Sequence, residues 1–195
     1  MTPKQIEQLK KKIADVKRTL ASEKRKYGCY DDGRGLRYLP TGYFIKIADW
    51  TGGLAYTKWF HKNFPDDSGF PELFFEWAVI LFKNNELKEA EKKLFETFCC
   101  NTYVLDKFIG KKIVPINKYE YSNIDSPSYT EYFQYKRGIT GLQNFEEWLN
   151  KIVQTQKFVI SCQKFIETSK QINVEKDAEK RIYLVKYLRQ IETNY

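Results

Sequence analysis

The sequence has 195 residues, of which 42% are hydrophobic and 16% aromatic, enough for one domain with a well-buried core. No apolar run approaches the roughly 18 residues of a membrane span, and residues 1–30 contain no apolar segment typical of a signal peptide. We therefore expect a soluble, cytoplasmic protein without a membrane partner. Four cysteines and one histidine show no spacing typical of a disulfide framework or a zinc site, so we expect no metal and no cofactor.

The formal charge of +8 is concentrated at the amino terminus, where residues 1–30 carry nine Lys or Arg against three Asp or Glu. This basic patch has two interpretations. It is either the solvated face of a structural helix or a surface that pairs with the phosphates of nucleic acid or with an acidic protein. The residues of the patch are Lys10, Lys11, Lys12, Lys17, Arg18, Lys24, Arg25 and Lys26.

Residues 1–28 read as one basic amphipathic helix. Thr2 followed by Pro3 and Gln5 is typical of a helix start, and Gly28 is typical of a helix end. A narrow apolar seam runs along the helix at alternating steps of three and four residues, which indicates packing against the body of the protein or against a second copy in a homodimer. The seam residues are Ile6, Leu9, Ile13, Val16 and Leu20.

Residues 29–110 contain two predicted helical hairpins. The apolar periodicity predicts helices at about 40–49 and 53–64 in the first hairpin, with its turn centred near Gly52, and at about 71–84 and 86–99 in the second. A short helix ending near Ile109, before Gly110, follows them.

The second hairpin resembles one unit of the tetratricopeptide (TPR) type, a helix-turn-helix of roughly 34 residues. The residue sizes fit at Phe74, Ala78, Leu81, Asn85, Ala90 and Leu94, with departures at Trp77 and Thr102. One such period earlier, Ile47, Phe60 and Phe64 keep the large apolar positions, but Phe44 and Tyr56 stand where small residues belong. The first hairpin is therefore expected to have a shifted turn or a wider helix crossing.

The segments that flank the hairpins, DDGRGLRYLP and NTYVLDKFIGKKIVP, extend the resemblance to about residues 30–115. They are similar to the bracketing segments of a little-characterised bacterial family of TPR-like proteins. The resemblance implies a groove that binds peptide segments of partners and performs no chemistry. Its expected groove residues, on the first helix of each hairpin, are Tyr38, Thr41, Ile45, Asp49, Glu72, Phe75, Val79 and Lys83.

Residues 111–127 lack helical periodicity and read as a connector, and residues 128–195 read as a helical hairpin that forms one compact domain with the repeats. Ser126-Pro127-Ser128 is predicted to start a short helix that reaches about Arg137, and an apolar stripe predicts a long helix from Phe145 to about Gln171. A final helix at about 175–193 is expected to pack antiparallel to it. The predicted fold is all-α: TPR-like hairpins followed by a long antiparallel helical pair.

We therefore expect a non-catalytic adaptor or a neutralising partner of another protein, with the groove either open or covered by the carboxy-terminal helices. The first alternative is a nucleic-acid-associated protein that uses the basic patch. The second alternative is a small enzyme, which would need His61, the only histidine, to meet a carboxylate or thiol in a pocket.

Overall fold

The computed structural model describes residues 1–30 and 32–195, and within these ranges the secondary structure is entirely helical. The predicted all-α class is thus confirmed. The α-helices are α1 (Pro3–Tyr27), α2 (Leu39–Lys46), α3 (Trp50–Asn63), α4 (Pro71–Lys83), α5 (Leu87–Cys100), α6 (Val104–Phe108), α7 (Gln143–Ile152), α8 (Gln156–Val174) and α9 (Ala178–Thr193). No helix of the described part is both long and apolar enough to cross a membrane.

Helix α1 begins and ends where local sequence signals place it. The Thr2 hydroxyl accepts a hydrogen bond from the Gln5 amide at 3.3 Å, and the Thr2 amide donates to Gln5 Oε1 at 2.8 Å. Pro3 occupies the first helical position, and Gly28 adopts a left-handed φ of 74° that stops the helix.

The apolar seam of α1 packs on the body of the same chain. Ile13, Val16 and Leu20 are buried there, while Ile6 and Leu9 are half-buried. The prediction that all five residues are available for a homodimer is therefore wrong for the three buried ones, because α2 and the residues before it already cover them.

Helices α2 and α3 form one hairpin and α4 and α5 form a second, each closed by a three-residue turn. The middle residue of each turn is left-handed: Ala48 has a φ of 54° and Asn85 a φ of 62°. The second turn lies where it was predicted. The first turn comprises residues 47–49 rather than being centred near Gly52, because Asp49 caps α3 by accepting a hydrogen bond from the Gly52 amide.

The two turns are 37 residues apart, and the small residues of the hairpins are separated by the same distance. Ala90 is fully buried, and 37 residues earlier stands Gly53, where a Cβ atom would lie 3.1 Å from Ile80 of α4. Likewise, Ala78 and Thr41 are both fully buried. The first hairpin thus has small residues at the expected positions when the spacing between hairpins is taken as 37 residues instead of 34. Gly53 is the one that allows α3 to approach α4 closely.

The carboxy-terminal half follows the prediction less closely. The helix expected from Ser128 to Arg137 is only a short 3-10 segment, Pro127–Glu131. The long predicted helix is divided at residues 153–155 into α7 and α8, because Thr155 caps the start of α8 through the Phe158 amide at 3.3 Å. Tyr195 after α9 contacts Phe158 near the start of α8, so α8 and α9 run antiparallel as predicted.

Candidate functional site

The inner face of the second hairpin, where the groove was expected, is covered by the chain that precedes and forms α7. Phe75, at the centre of this face, is fully buried and contacts four aromatic rings at centroid distances of 4.9–5.5 Å. The four rings are those of Phe108, Phe133, Tyr135 and Phe145.

Three predicted groove residues are therefore core residues and not binding residues: Thr41, Phe75 and Val79 are each fully buried. For Phe75 and Val79, the physical reason is that the apolar side chains of residues 133–149 bury the same surface that a partner peptide would have used. Thr41 is buried where its hydroxyl donates a hydrogen bond to Glu76. Truncation of Phe75 to alanine is expected to destabilise the fold by about 3–5 kcal/mol, so it cannot serve as a test of partner binding alone.

The other predicted groove residues occupy separate local environments. Tyr38 donates a hydrogen bond to Asp67 at 2.7 Å, and Glu72 accepts one from the hydroxyl of Tyr129. Asp49 caps α3, and the Lys83 ammonium lies 5.3 Å from the centre of the Trp50 ring. These four side chains do not converge on one groove, whereas Ile45 lines a cavity that the covering segment leaves open.

This remaining opening, which we call the Glu76 cavity, has a volume of about 350 Å³. It lies where α2, the start of α3 and the middle of α4 meet the segment that leads into α7. Most of its wall is apolar. The cavity is lined by Ile45, Lys46, Ala48, Trp50, Glu76, Gln134, Tyr135, Ile139, Thr140, Gly141 and Leu142.

Two hydroxyl groups hold the Glu76 carboxylate in place. Oε1 accepts a hydrogen bond from the Tyr135 hydroxyl at 2.6 Å, and Oε2 accepts one from the Thr41 hydroxyl at 2.5 Å. A Cβ atom at Gly42 would lie 2.7 Å from Oε1, so glycine is the residue that leaves room for this carboxylate. Within residues 1–30 and 32–195, no lysine or arginine nitrogen lies within 4.0 Å of its oxygens.

Burial raises the pKa of Glu76 to about 7, from an ordinary value of 4.5. The hydrogen bonds from Thr41 and Tyr135 and the charge of Lys46 oppose this rise, and the nearby Glu72 carboxylate adds to it. Glu76 is therefore about half ionised at neutral pH. It was missed in the sequence, although a single charged residue within the apolar run FFEWAVILF is a signal that could have identified it.

A second cavity of about 180 Å³ contains several titratable groups, among them Lys118 and Glu192. Burial lowers the pKa of Lys118 and raises the pKa of Glu192 to about 6. Burial also raises the pKa values of the neighbouring Cys99 and Cys100 thiols above the ordinary value of a cysteine. Both thiols therefore stay protonated near pH 7 and are poor nucleophiles.

The basic patch of α1 divides into two sides. Lys12, Lys17 and Lys24 lie over the rings of Tyr43, Phe44 and Tyr30 on the body of the protein, at 4.6–5.9 Å. The remaining patch residues face solvent. Four exposed basic residues stand seven positions apart along the solvent face of α1, and we call them the exposed row: Lys4, Lys11, Arg18 and Arg25. Three of them belong to the basic patch, and Lys4 lies outside it.

His61 is exposed on α3, with its ring 6.2 Å from the edge-on ring of Trp77. It lines none of the cavities described here. Neither the Glu76 cavity nor the second cavity therefore brings His61 together with a carboxylate or a thiol.

In the part of the chain that the structure describes, no three His, Cys, Asp or Glu side chains are grouped so that they could hold a metal ion. No protein-family model matches the chain, and no curated protein or solved structure gives a significant match to it.

Proposed function

We propose that the protein is a non-catalytic binding protein, an adaptor or a neutralising partner, that holds one anchor side chain of another protein in the Glu76 cavity. The observation that carries the proposal is the cavity itself. At about 350 Å³ it lies near the lower end of the range for ligand sites, which suits one side chain better than a length of peptide.

The composition of the wall supports an anchor of this kind. Trp50 and Ile45 provide half-buried apolar surface, and Glu76 provides one oriented polar group. Protein interfaces concentrate their binding energy in a few anchors that fill such pockets. The resemblance to TPR-like proteins also favours protein binding over catalysis, although the chain itself covers the inner face of the second hairpin.

Cross-linking inside the native cell tests the proposal. A photoreactive residue at Thr140, which is exposed on the cavity wall, should capture a defined partner. The same residue at Ile182, which is exposed on α9, serves as the matched control and should not capture it. A second experiment uses the tagged protein without a photoreactive residue. There, Thr140→Trp should obstruct the exposed side of the cavity and abolish co-purification of that partner.

Capture of the same proteins from both positions would contradict the proposal. Co-purification that survives Thr140→Trp, in a protein with an unchanged melting transition, would contradict it too. Identification of the cross-linked protein by mass spectrometry also separates an adaptor from a neutralising partner, because the activity of the captured protein can then be assayed with and without this chain.

The exposed row on α1 favours phosphate binding as a second candidate function. Seven residues correspond to about 10.5 Å along a helix, so the four cations form an evenly spaced line on the face opposite the buried seam. Deletion of residues 1–27 is a poor test, because it also removes the buried Ile13, Val16 and Leu20.

Replacement of the four row residues by Gln tests phosphate binding while keeping the seam. If all four contact phosphates of a labelled DNA duplex, the slope of log affinity against log salt should become shallower by about 3.6, or 0.9 for each contact. A control variant with the same change of charge replaces the exposed Lys151, Lys164, Lys176 and Lys180. Equal effects of the two variants would show only nonspecific attraction to a basic protein.

A further inference from the structure

We infer that the anchor in the Glu76 cavity is a lysine or arginine side chain of the partner, which pairs its cationic head with the Glu76 carboxylate. The inference rests on the proposed protein-binding function and adds the chemistry of the group that is recognised. It follows from the polar end of the cavity, the apolar wall and the charges around them.

At the polar end, the carboxylate is oriented but its charge is not neutralised. The hydroxyls of Thr41 and Tyr135 each donate one hydrogen bond, while a carboxylate offers about four acceptor positions. Both donors are uncharged, and no basic group of the described chain lies within ion-pairing distance of Glu76. Burying an unpaired carboxylate is unfavourable, so a cation that enters the cavity is stabilised there.

Along the wall, the apolar side chains match the stem of a long basic residue. Lysine and arginine bury their methylene groups against apolar surface while the charged head makes polar contacts. An entirely apolar anchor would remove more water from Glu76 without pairing it, and an acidic anchor would meet a like charge. The wall that would contact the stem is formed by Ile45, Trp50, Ile139 and Leu142.

The surrounding charges are few and come from two helices and the covering segment. Lys46 on α2 lines the cavity and is exposed, the Lys83 ammonium on α4 lies 5.3 Å from the centre of the Trp50 ring, and Glu72 on α4 adds negative potential. Tyr135 contributes a phenol whose pKa is raised by burial, so it remains a hydrogen-bond donor near neutral pH. The Lys46 ammonium lies more than 4.0 Å from the Glu76 oxygens, and its charge favours the ionised form of the carboxyl without forming an ion pair.

Cation binding requires the ionised form of Glu76, which gives the cavity a defined pH dependence. With a pKa of about 7, roughly one in eleven molecules is ionised at pH 6 and nearly all are at pH 8. The apparent affinity for a basic side chain should therefore rise about tenfold between pH 6 and pH 8.

Titration of the full chain with capped single amino acids tests the inference, with NMR detection at the Trp50 indole. At pH 8, N-acetyl-arginine and N-acetyl-lysine methylamides should shift this signal at millimolar concentrations. The citrulline analogue has the shape of arginine without its charge, and the norleucine analogue likewise lacks the charge of lysine. Both neutral probes should bind at least tenfold more weakly.

Glu76→Gln should reduce binding of the basic probes at least tenfold and remove the rise between pH 6 and pH 8. Glu89→Gln, at an exposed position on α5, is the matched control and should leave both unchanged. If Glu76→Gln does not fold, Thr140→Trp replaces it, because it blocks the cavity and leaves the carboxylate in place.

Equal binding of arginine and citrulline probes, or full binding to the folded Glu76→Gln protein, would overturn the inference. Those results would not contradict the proposed protein-binding function. The cross-linking experiment at Thr140 tests that function independently of the charge of the anchor. Conversely, a basic probe that binds as described while Thr140 captures no partner would support the site and overturn the proposed function.

Discussion

At the scale of single residues, Glu76 is one of the side chains whose charged form is disfavoured by burial, as Lys118 and Glu192 also are. Glu76 stands in an otherwise apolar stretch of α4, where two hydroxyls orient it and burial raises its pKa to about 7. A residue that weakens the fold at neutral pH and also lines a cavity is a candidate for function, because perturbed ionisable groups concentrate at functional sites. Glu72, one turn earlier, shows the same arrangement with Tyr129.

Glu76 makes the folded protein less stable as the pH rises. Its pKa is higher in the folded state than the ordinary 4.5, so the folded protein holds this proton more tightly than the unfolded chain does. The contribution of Glu76 to the free energy of unfolding should consequently be most favourable below about pH 4.5 and should fall until the pH exceeds 7. Glu76→Gln removes this loss, and at pH 8 the variant should be more stable than the natural protein by up to about 3 kcal/mol.

Urea denaturation at pH 5, 6, 7 and 8 measures this difference. Glu192, whose pKa is raised by burial to about 6, changes stability in the same direction, so the comparison is between the variant and the natural protein at each pH. Glu89→Gln should show no such trend. A Glu76→Gln variant whose stability differs from the natural protein by the same amount at every pH would contradict the raised pKa.

At the scale of elements, the two hairpins share one turn geometry but use different residues to form it. Asn85 tolerates the left-handed backbone that the second turn requires. Ala48 adopts the same backbone in the first turn, where its Cβ atom makes this conformation unfavourable by about 1–2 kcal/mol. The first turn is therefore strained, and glycine would relieve the strain.

Ala48→Gly should stabilise the protein by about 0.5–1 kcal/mol, because the gain in the turn exceeds the additional backbone entropy of glycine in the unfolded chain. Ala55→Gly, at an exposed position inside α3, is the matched control and should destabilise by about 1 kcal/mol. Thermal melting of both variants measures the two effects. Destabilisation of similar size at the two positions would show that Ala48 is not strained.

At the scale of the whole molecule, Tyr195 joins three helices at the end of the chain. Its ring stacks on Phe95 of α5 at 4.2 Å, and its hydroxyl donates to Glu91 Oε1 at 2.7 Å. The Lys157 ammonium of α8 lies 3.8 Å from the centre of the ring. These contacts fix α9 against α5 and α8, and so connect the carboxy-terminal pair to the second hairpin.

Tyr195→Ala should therefore destabilise the entire fold by about 2 kcal/mol, less than for a fully buried aromatic residue because the ring is half-buried. Tyr195→Phe keeps the stacking and should lose only about 1 kcal/mol with the hydrogen bond to Glu91. Tyr183→Ala, at an exposed tyrosine of α9, should change stability by less than about 0.5 kcal/mol. Equal effects of Tyr195→Ala and Tyr183→Ala would mean that the stacking on Phe95 contributes nothing.

The sequence by itself determined the helical elements and many of their ends. The Thr2 cap, the Gly28 stop and the turn at Asn85 depend on hydrogen bonds and backbone angles within a few residues, and such local signals are readable in one chain. The basic character of α1 was readable too, because it follows from the count of charged residues in positions 1–30 alone.

Tertiary structure alone decided which faces are buried and where a cavity remains. Phe75 and Val79 have the same apolar character whether they bind a partner or lie in a core. The burial of Phe75 depends on Phe133 and Phe145, which follow it by 58 and 70 residues. The same covering segment closes over Glu76, whose pKa is raised by burial, and its Tyr135 donates a hydrogen bond that opposes this rise. Contacts across such separations leave no periodic signal in the sequence, because the pattern of each helix records its own apolar face but not the segment that packs against it.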